Sequence, residues 1–533
     1  MKKNNYKSTL KSLGIAVGAA CLLTACTKNF ENINTNPYDY SEEELAKDFR
    51  YLGDPLVQVI NNVYSVDPVW VAQVQQNLNA DVYSGYMMSP TPFAGNVNNL
   101  NYSFIDGWNT NIWSVPYTNI MPPCKFVIDR AYGKFNDFYA WAKILRVLGM
   151  HRVSDIYGPI IYSHYGEINE DGSITYDTQE EVYDAFFADL SEAIDTLTAF
   201  ENRGAVKAFT QFDKVYGGSY KKWVQFANTL RLRLAIRISK VAPAKAKEQG
   251  EAALTHPFGL LADGATDNTL VDIAPLQHPL NVYSGSWGDI RMGAPMESFL
   301  VGYNDPRISI YFDTAKSIIG GVYKGIRNGI AISSKDTYAG FSALKPVESK
   351  VQLMTAAEAW FLKAEAALYD WANAGNAQED YEKGILASFT QHGLVANYAD
   401  YIADNSSKPL PYNDPQNPGN NVAIGNANLS TITIAWNEGA SQAEKLERII
   451  TQKWIATFPE GCEAWAEFRR TRYPKLFPVV VNNSNGAIPT EQFVRRISYP
   501  SSEYSTNKSA VEKAVASLGG PDTGGTPLWW DIN

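Results

Sequence analysis

The eleven residues from Asn281 to Arg291 read NVYSGSWGDIR and set two aromatic rings, Tyr283 and Trp287, beside Asn281, Asp289 and Arg291. An aromatic face can stack on a flat apolar face of a ligand, while amide, carboxylate and guanidinium groups can exchange hydrogen bonds with its polar groups. Gly285 and Gly288 free the backbone that carries them. A second stretch repeats the combination, with Trp108 beside Asn109 and Asn111. These eight residues, Trp108, Asn109, Asn111, Asn281, Tyr283, Trp287, Asp289 and Arg291, are the candidate ligand contacts. The competing reading, in which they only pack their own loops, stays open on the sequence.

Covalent chemistry is harder to find. The chain has no Gly-x-Ser-x-Gly elbow, His-Glu-x-x-His, phosphate loop or dinucleotide fingerprint. Its five histidines (His151, His164, His256, His278, His392) lack ligand spacing. Asn169, Asp171 and Ser173 resemble the start of a calcium loop, but the closing glutamate is missing. A glycoside hydrolase needs only two carboxylates, yet such enzymes usually ride on β-rich or barrel scaffolds. The sequence therefore calls for no catalytic residue, no metal and no cofactor.

Cys26 is the one residue with a covalent assignment. Lys2, Lys3, Lys7 and Lys11 precede an uncharged stretch, residues 13–25, shorter than the ~20 residues of a membrane-spanning helix. It ends Leu23-Thr24-Ala25-Cys26, which resembles a bacterial lipobox. That resemblance implies cleavage before Cys26 and acylation of the new terminus (diacylglyceryl on sulfur, a palmitate-type chain on the amine), which anchors stably where one chain would not. An ordinary signal peptide is the alternative. Residues 1–25 carry four lysines and no acid, so 46 basic residues become 42 against 56 acidic ones, a net charge of −14. Even the full chain, at −10, lacks the basic face nucleic acid requires. Cys124 and Cys462 remain, and are read as buried thiols rather than a disulfide.

The elements that must position these residues are helical. Tyr183, Phe187, Leu190, Ile194 and Leu197 recur at three and four residues over 178–199. Comparable stripes run over 219–240, 353–372 and 441–458, and short breaks join them to further helices at about 244–254, 377–392 and 462–472. The pairs suggest tetratricopeptide-like packing, without a clean 34-residue consensus. Residues 26–40 read as a lipidated tether, and Ser41 with Glu42, Glu43 and Glu44 as a helix start. The body, residues 41–533, reads as one mostly α-helical domain with a few short strands and loop-rich insertions near 264–350 and 395–440.

Several stretches resemble the SusD/RagB family of outer-membrane lipoproteins, in its SusD-like branch. They are Asp213 to Ser239 (DKVYGGSYKKWVQFANTLRLRLAIRIS), Asn304-Asp305-Pro306-Arg307, Met354 to Glu365 (MTAAEAWFLKAE), residues 449–476, Arg495 to Tyr504, and the terminal Pro527-Leu528-Trp529-Trp530-Asp531. The resemblance implies four tetratricopeptide-like helix pairs. It further implies an outer-membrane protein held by a lipid anchor, with a SusC-like TonB-dependent transporter as partner and a glycan, or else a peptide, as ligand. A mainly structural lid for that transporter is the other function it allows. Thr27-Lys28-Asn29-Phe30-Glu31 carries one acid where family members often have an acid-rich surface-export signal, so the outer membrane is the firmer expectation and the outer leaflet the weaker. Trp113, Trp223, Trp360, Trp454, Trp465, Trp529 and Trp530 are expected to be scaffold, and family ligand aromatics often lie near Trp108.

Overall fold

Helices form where an apolar stripe follows a side chain able to cap it. The computed structural model describes residues 48–532, so the leader, Cys26, the tether and the Ser41 helix start lie outside the described residues. The first long helices are α1 (Arg50–Val63), α2 (Asp106–Asn119), α3 (Met121–Ala131) and α4 (Asn136–Tyr157). Then come α5 (Gln179–Asn202), α6 (Tyr220–Arg237), α7 (Pro243–Thr255), α8 (Ala356–Leu368) and α9 (Ala377–Gln391). Last are α10 (Gln442–Thr457), α11 (Gly461–Thr471) and α12 (Lys508–Ser517). Thr178 and Ser441 open α5 and α10 with complete capping boxes, through Glu181 and Glu444. Ser219, Thr355 and Asn376 cap α6, α8 and α9.

Three expectations fail locally, one of them at Trp529, which is expected as scaffold and is only half-buried. Leu353 belongs to a strand, because Thr355 starts the helix two residues later. Trp360 is not core: it lies half-buried on α8, its indole donates to the Ala262 carbonyl (2.8 Å), and Lys363 and Lys383 lie over its ring. Trp113, Trp223, Trp454, Trp465 and Trp530 are buried.

Helix α3 packs on α4, α4 on α5, α5 on α6 and α6 on α7. Helix α8 contacts α9, α10 and α6, while α11 contacts α10 and α4. The stripe residues Tyr183, Leu190, Leu197, Trp223, Leu230 and Leu234 fill the interfaces. A buried ionic layer runs among α6, α8, α10 and α11. Arg233 grips Glu358 with two hydrogen bonds (2.7 and 2.6 Å), and Arg470 grips Glu365 the same way (2.6 and 2.7 Å). Arg237 bridges Glu463 (2.6 Å) and Glu467 (2.5 Å), and Lys453 adds a bond to Glu463 at 2.9 Å. The four cations of these contacts match the four carboxylates, which is the condition for burying charge. Arg233, Arg237 and Lys453 hold the Glu463 carboxyl below the usual carboxylate range against the opposing effect of burial.

Small sheets and buried arginines tie down the loop-rich segments. Strand β1 (Met87–Met88) pairs antiparallel with β3 (Arg291–Met292), and β2 (Thr269–Asp272) pairs antiparallel with β4 (Lys350–Met354). Arg307, fully buried, binds Asp305 (2.9 and 2.6 Å), Gln452 of α10 (2.8 Å) and Tyr401 (3.1 Å). Cys124 and Cys462 are buried free thiols, and burial pushes the Cys124 thiol up to about 12.

Candidate ligand-binding surface

The Asn281–Arg291 segment is a pinned loop with an open top. Residues Val282–Ser286 form a π-helical turn, and Gly288 reverses the chain at φ +63°, a conformation that favours glycine. Beneath, Asn281 exchanges two hydrogen bonds with Val347 (2.8 and 2.9 Å). Tyr283 is buried and donates its hydroxyl to the Val69 carbonyl at 3.0 Å. Arg291 donates to the carbonyls of Ala339 (3.0 Å), Ser284 (3.1 Å) and Ile290 (2.7 Å). Burial raises the Tyr283 pKa and lowers that of Arg291.

Above this base Trp287 stands 38% exposed, its ring 5.8 Å from that of Tyr283. Lys335 holds it from the side, donating to the Trp287 carbonyl (2.6 Å) and to Asp289 (2.7 Å). Asp289 also accepts from the Thr91 hydroxyl at 2.6 Å and, weakly, from Gln73 at 3.5 Å. Trp70 is 52% exposed and directly follows Val69, the residue that receives the Tyr283 hydroxyl. The result is an indole face beside a carboxylate and an ammonium, with a second exposed indole on the neighbouring strap of chain.

The Trp108 segment is organised differently. Trp108 is half-buried and meets Phe93 edge to face at 5.7 Å. Both rest on an apolar cluster that includes Leu78, Met88, Leu100, Ile330, Tyr338 and Phe341. The stretch from Lys335 to Phe341 therefore borders both segments: Tyr338 and Phe341 underlie Trp108, while Lys335 and Ala339 hold the Trp287 loop. Asn109 is buried, receives a hydrogen bond from Asn99 at 2.9 Å and gives its carbonyl to Tyr157 at 2.7 Å. Asn111 is half-exposed and bonds back to the Gly107 carbonyl at 2.8 Å.

These positions correct the sequence reading at Asn109, Tyr283 and Arg291, whose side chains are engaged in holding the loops. Asn281 likewise acts as a loop tie. Trp287, Asp289, Trp108 and Asn111 retain access to solvent. Sequence reasoning missed Trp70, Thr91 and Lys335. A tryptophan outside any apolar stripe was an available signal for Trp70, whereas nothing local marks Lys335 as a partner of a residue 48 positions away. The Asn169–Ser173 loop closes on itself, Asp171 accepting from Ser173 (3.0 and 2.6 Å) and from Ser509 at 2.9 Å. Among the described residues, no group of three or more His, Cys, Asp or Glu is placed to hold a metal ion.

Comparison with known proteins supplies the context. A family model described as SusD-like, the Susd and RagB outer membrane lipoproteins, matches residues 32–531. Among solved structures, a chitin-binding SusD homolog from Flavobacterium johnsoniae is 47% identical, the match covering 91% of this chain and 99% of that one, with a TM-score of 0.87. A SusD homolog from Bacteroides uniformis is 41% identical (91% and 99% covered, TM-score 0.81), and one from Bacteroides vulgatus 35% identical (92% and 99%, TM-score 0.85). No curated protein matches the chain.

Proposed function

The chain belongs to the SusD/RagB family of outer-membrane lipoproteins, and from that premise we propose that it captures a glycan at the Trp287 surface and delivers it to a SusC-like TonB-dependent transporter. The observation that carries the reading is Trp287 itself. A large indole is left 38% exposed on a loop whose underside is fully tied, with Asp289 and Lys335 at hydrogen-bonding distance from the same turn. Preorganised aromatic and polar groups of this kind favour binding because little ordering remains to be done. The 47% identical F. johnsoniae homolog, described as chitin-binding, favours a β-linked N-acetylglucosamine oligomer as the glycan. Asp289 and Lys335 can accept from and donate to its hydroxyl and acetamido groups, and the indole can take a pyranose face.

The test is a glycan array probed with the mature, unlipidated protein and with Trp287→Ala. Binding to N-acetylglucosamine oligomers that Trp287→Ala loses supports the reading. Binding to peptides and to no glycan overturns it. Attachment is proposed through Cys26: Cys26→Ala should move the protein to the soluble fraction, and unchanged membrane association would contradict that. Mild-detergent extraction of the native membrane should recover a β-barrel partner, and purification of the protein alone would count against the delivery role.

A further inference from the structure

The terminal Pro527-Leu528-Trp529-Trp530-Asp531 motif splits into two environments. Trp530 is fully buried and donates its indole N–H to Asp155 at 3.0 Å. Trp529 is half-buried, and it lines a cleft of about 540 Å³. That volume lies within the ~300–1,000 Å³ typical of small-ligand sites. None of the cleft's lining residues belongs to the Trp287 or Trp108 segments.

The cleft is built rather than incidental. Gln179, 2% exposed, accepts from the Trp529 backbone N–H (3.0 Å) while its amide donates to the Ser154 carbonyl (2.9 Å) and hydroxyl (3.2 Å). The Trp529 ring lies 6.0 Å from Tyr183, edge to face. Arg495 closes one end by gripping Asp531 through two donors, at 2.7 Å to the carboxylate and 3.0 Å to the carbonyl. Pro159, Leu518 and Leu528 supply apolar wall, and the exposed Glu180 carboxylate stands on the lining at the start of α5. The indole N–H of Trp529 is paired with no hydrogen-bond acceptor among the described residues.

A rigid aromatic face, an open indole donor and a carboxylate acceptor beside apolar walls are the groups a short saccharide needs: a surface for its C–H face and partners of both senses for its hydroxyls. Arg495 and Asp531 neutralise each other and Glu180 lies 4.0 Å from Lys245, so the charges on the lining have partners and the cleft suits a neutral ligand better than a strongly ionic one. We propose that this cleft is a second saccharide site, separate from the Trp287 surface and sized for a short oligomer rather than a long chain. The inference rests on the glycan-binding reading above, and the experiment separates the two.

The experiment is isothermal titration of the mature, unlipidated protein with N-acetylglucosamine oligomers of two to six units, repeated for Trp287→Ala, Trp529→Ala and Ser517→Phe. Ser517 lines the cleft at the end of α12, so a phenylalanine there blocks it without removing Trp529. Melting temperatures confirm that each variant is folded. The expected result is two binding events in the wild-type protein. Trp529→Ala and Ser517→Phe should each weaken one of them at least about five-fold, and Trp287→Ala should weaken only the other. A single event removed by Trp287→Ala and untouched by Ser517→Phe overturns the second site and leaves the first reading standing. No binding by the wild-type protein overturns both.

Discussion

The helical interior and the Trp287 loop both rest on lysine or arginine facing carboxylates, yet the pairs do opposite work. In the interior Glu463 meets Arg237, Lys453 and, at 3.4 Å, Arg233, all within 3% of full burial. None of these charges has water to fall back on, so each is fixed by its neighbours and removal of one leaves a buried charge uncompensated. On the loop, Lys335 and Asp289 keep side-chain exposures of 37% and 15%. Their pair is worth little to the fold, but it sets where the Trp287 carbonyl sits. Buried pairs specify how helices pack, and half-exposed pairs leave a surface able to exchange partners with a ligand.

Breaking the interior should have the largest effect. Glu463→Gln leaves three cations facing a neutral amide, and should lower stability by about 3–5 kcal/mol in chemical denaturation or prevent folding. A loss under about 1 kcal/mol would erase the contrast between the two regions. Trp287→Ala should act the other way round. Glycan affinity should fall about five- to 150-fold, equivalent to about 1–3 kcal/mol of stacking, while stability moves by no more than about 0.5 kcal/mol. A large drop in melting temperature with affinity intact would make Trp287 a packing residue and shift attention to Trp108.

Acid sharpens the comparison next. His151 donates from Nδ1 to the Val147 carbonyl (3.0 Å) and presents Nε2 to Arg233 (3.4 Å), and burial with that neighbouring charge lowers its pKa to about 3. His278 and His392 are lowered to about 4, burial being the main cause. A histidine depressed in the fold contributes stability above its unfolded pKa of 6.5, and loses it as pH falls from there toward the folded value. His151 alone should account for about 2 kcal/mol at pH 5. Asp81, whose buried carboxyl is raised to about 7, acts in the opposite sense over the same window, so the test is the difference. Between pH 7 and 5 His151→Gln should lose less melting temperature than the wild-type protein, and an equal pH dependence would mean His151 does not report on the interior. The smallest effect is expected from Lys335→Met, with affinity down about two- to five-fold and stability changed by less than about 1 kcal/mol. If it instead equals Trp287→Ala in affinity, the Lys335 ammonium contributes as much to holding the ligand as the indole does.

Much of the scaffold was legible because burial writes itself as period. The stripes through Tyr183 and Leu190, or Trp223 and Leu230, follow one helix face, and Thr178, Ser219, Asn376 and Ser441 mark where helices begin. Trp360 fits its stripe equally well and still reaches the surface, since period gives the face and not its depth. The ionic layer stayed hidden because Arg233, Arg237, Glu463 and Glu467, four residues apart on their helices, look in sequence like a solvated flank. At the candidate site, composition marks the loop's residue types but not the direction of its side chains. Arg291 and Asn281 have backbone partners, which no side-chain pattern announces, and Lys335 meets Trp287 only through the fold.

The most direct measurement is a crystal structure of the mature protein with a bound N-acetylglucosamine oligomer. A pyranose ring lying on the Trp287 indole, with hydroxyl or acetamido groups bonded to Asp289 or Lys335, is the predicted result. Sugar bound elsewhere while the Trp287 face stays bare at saturating ligand would contradict the account.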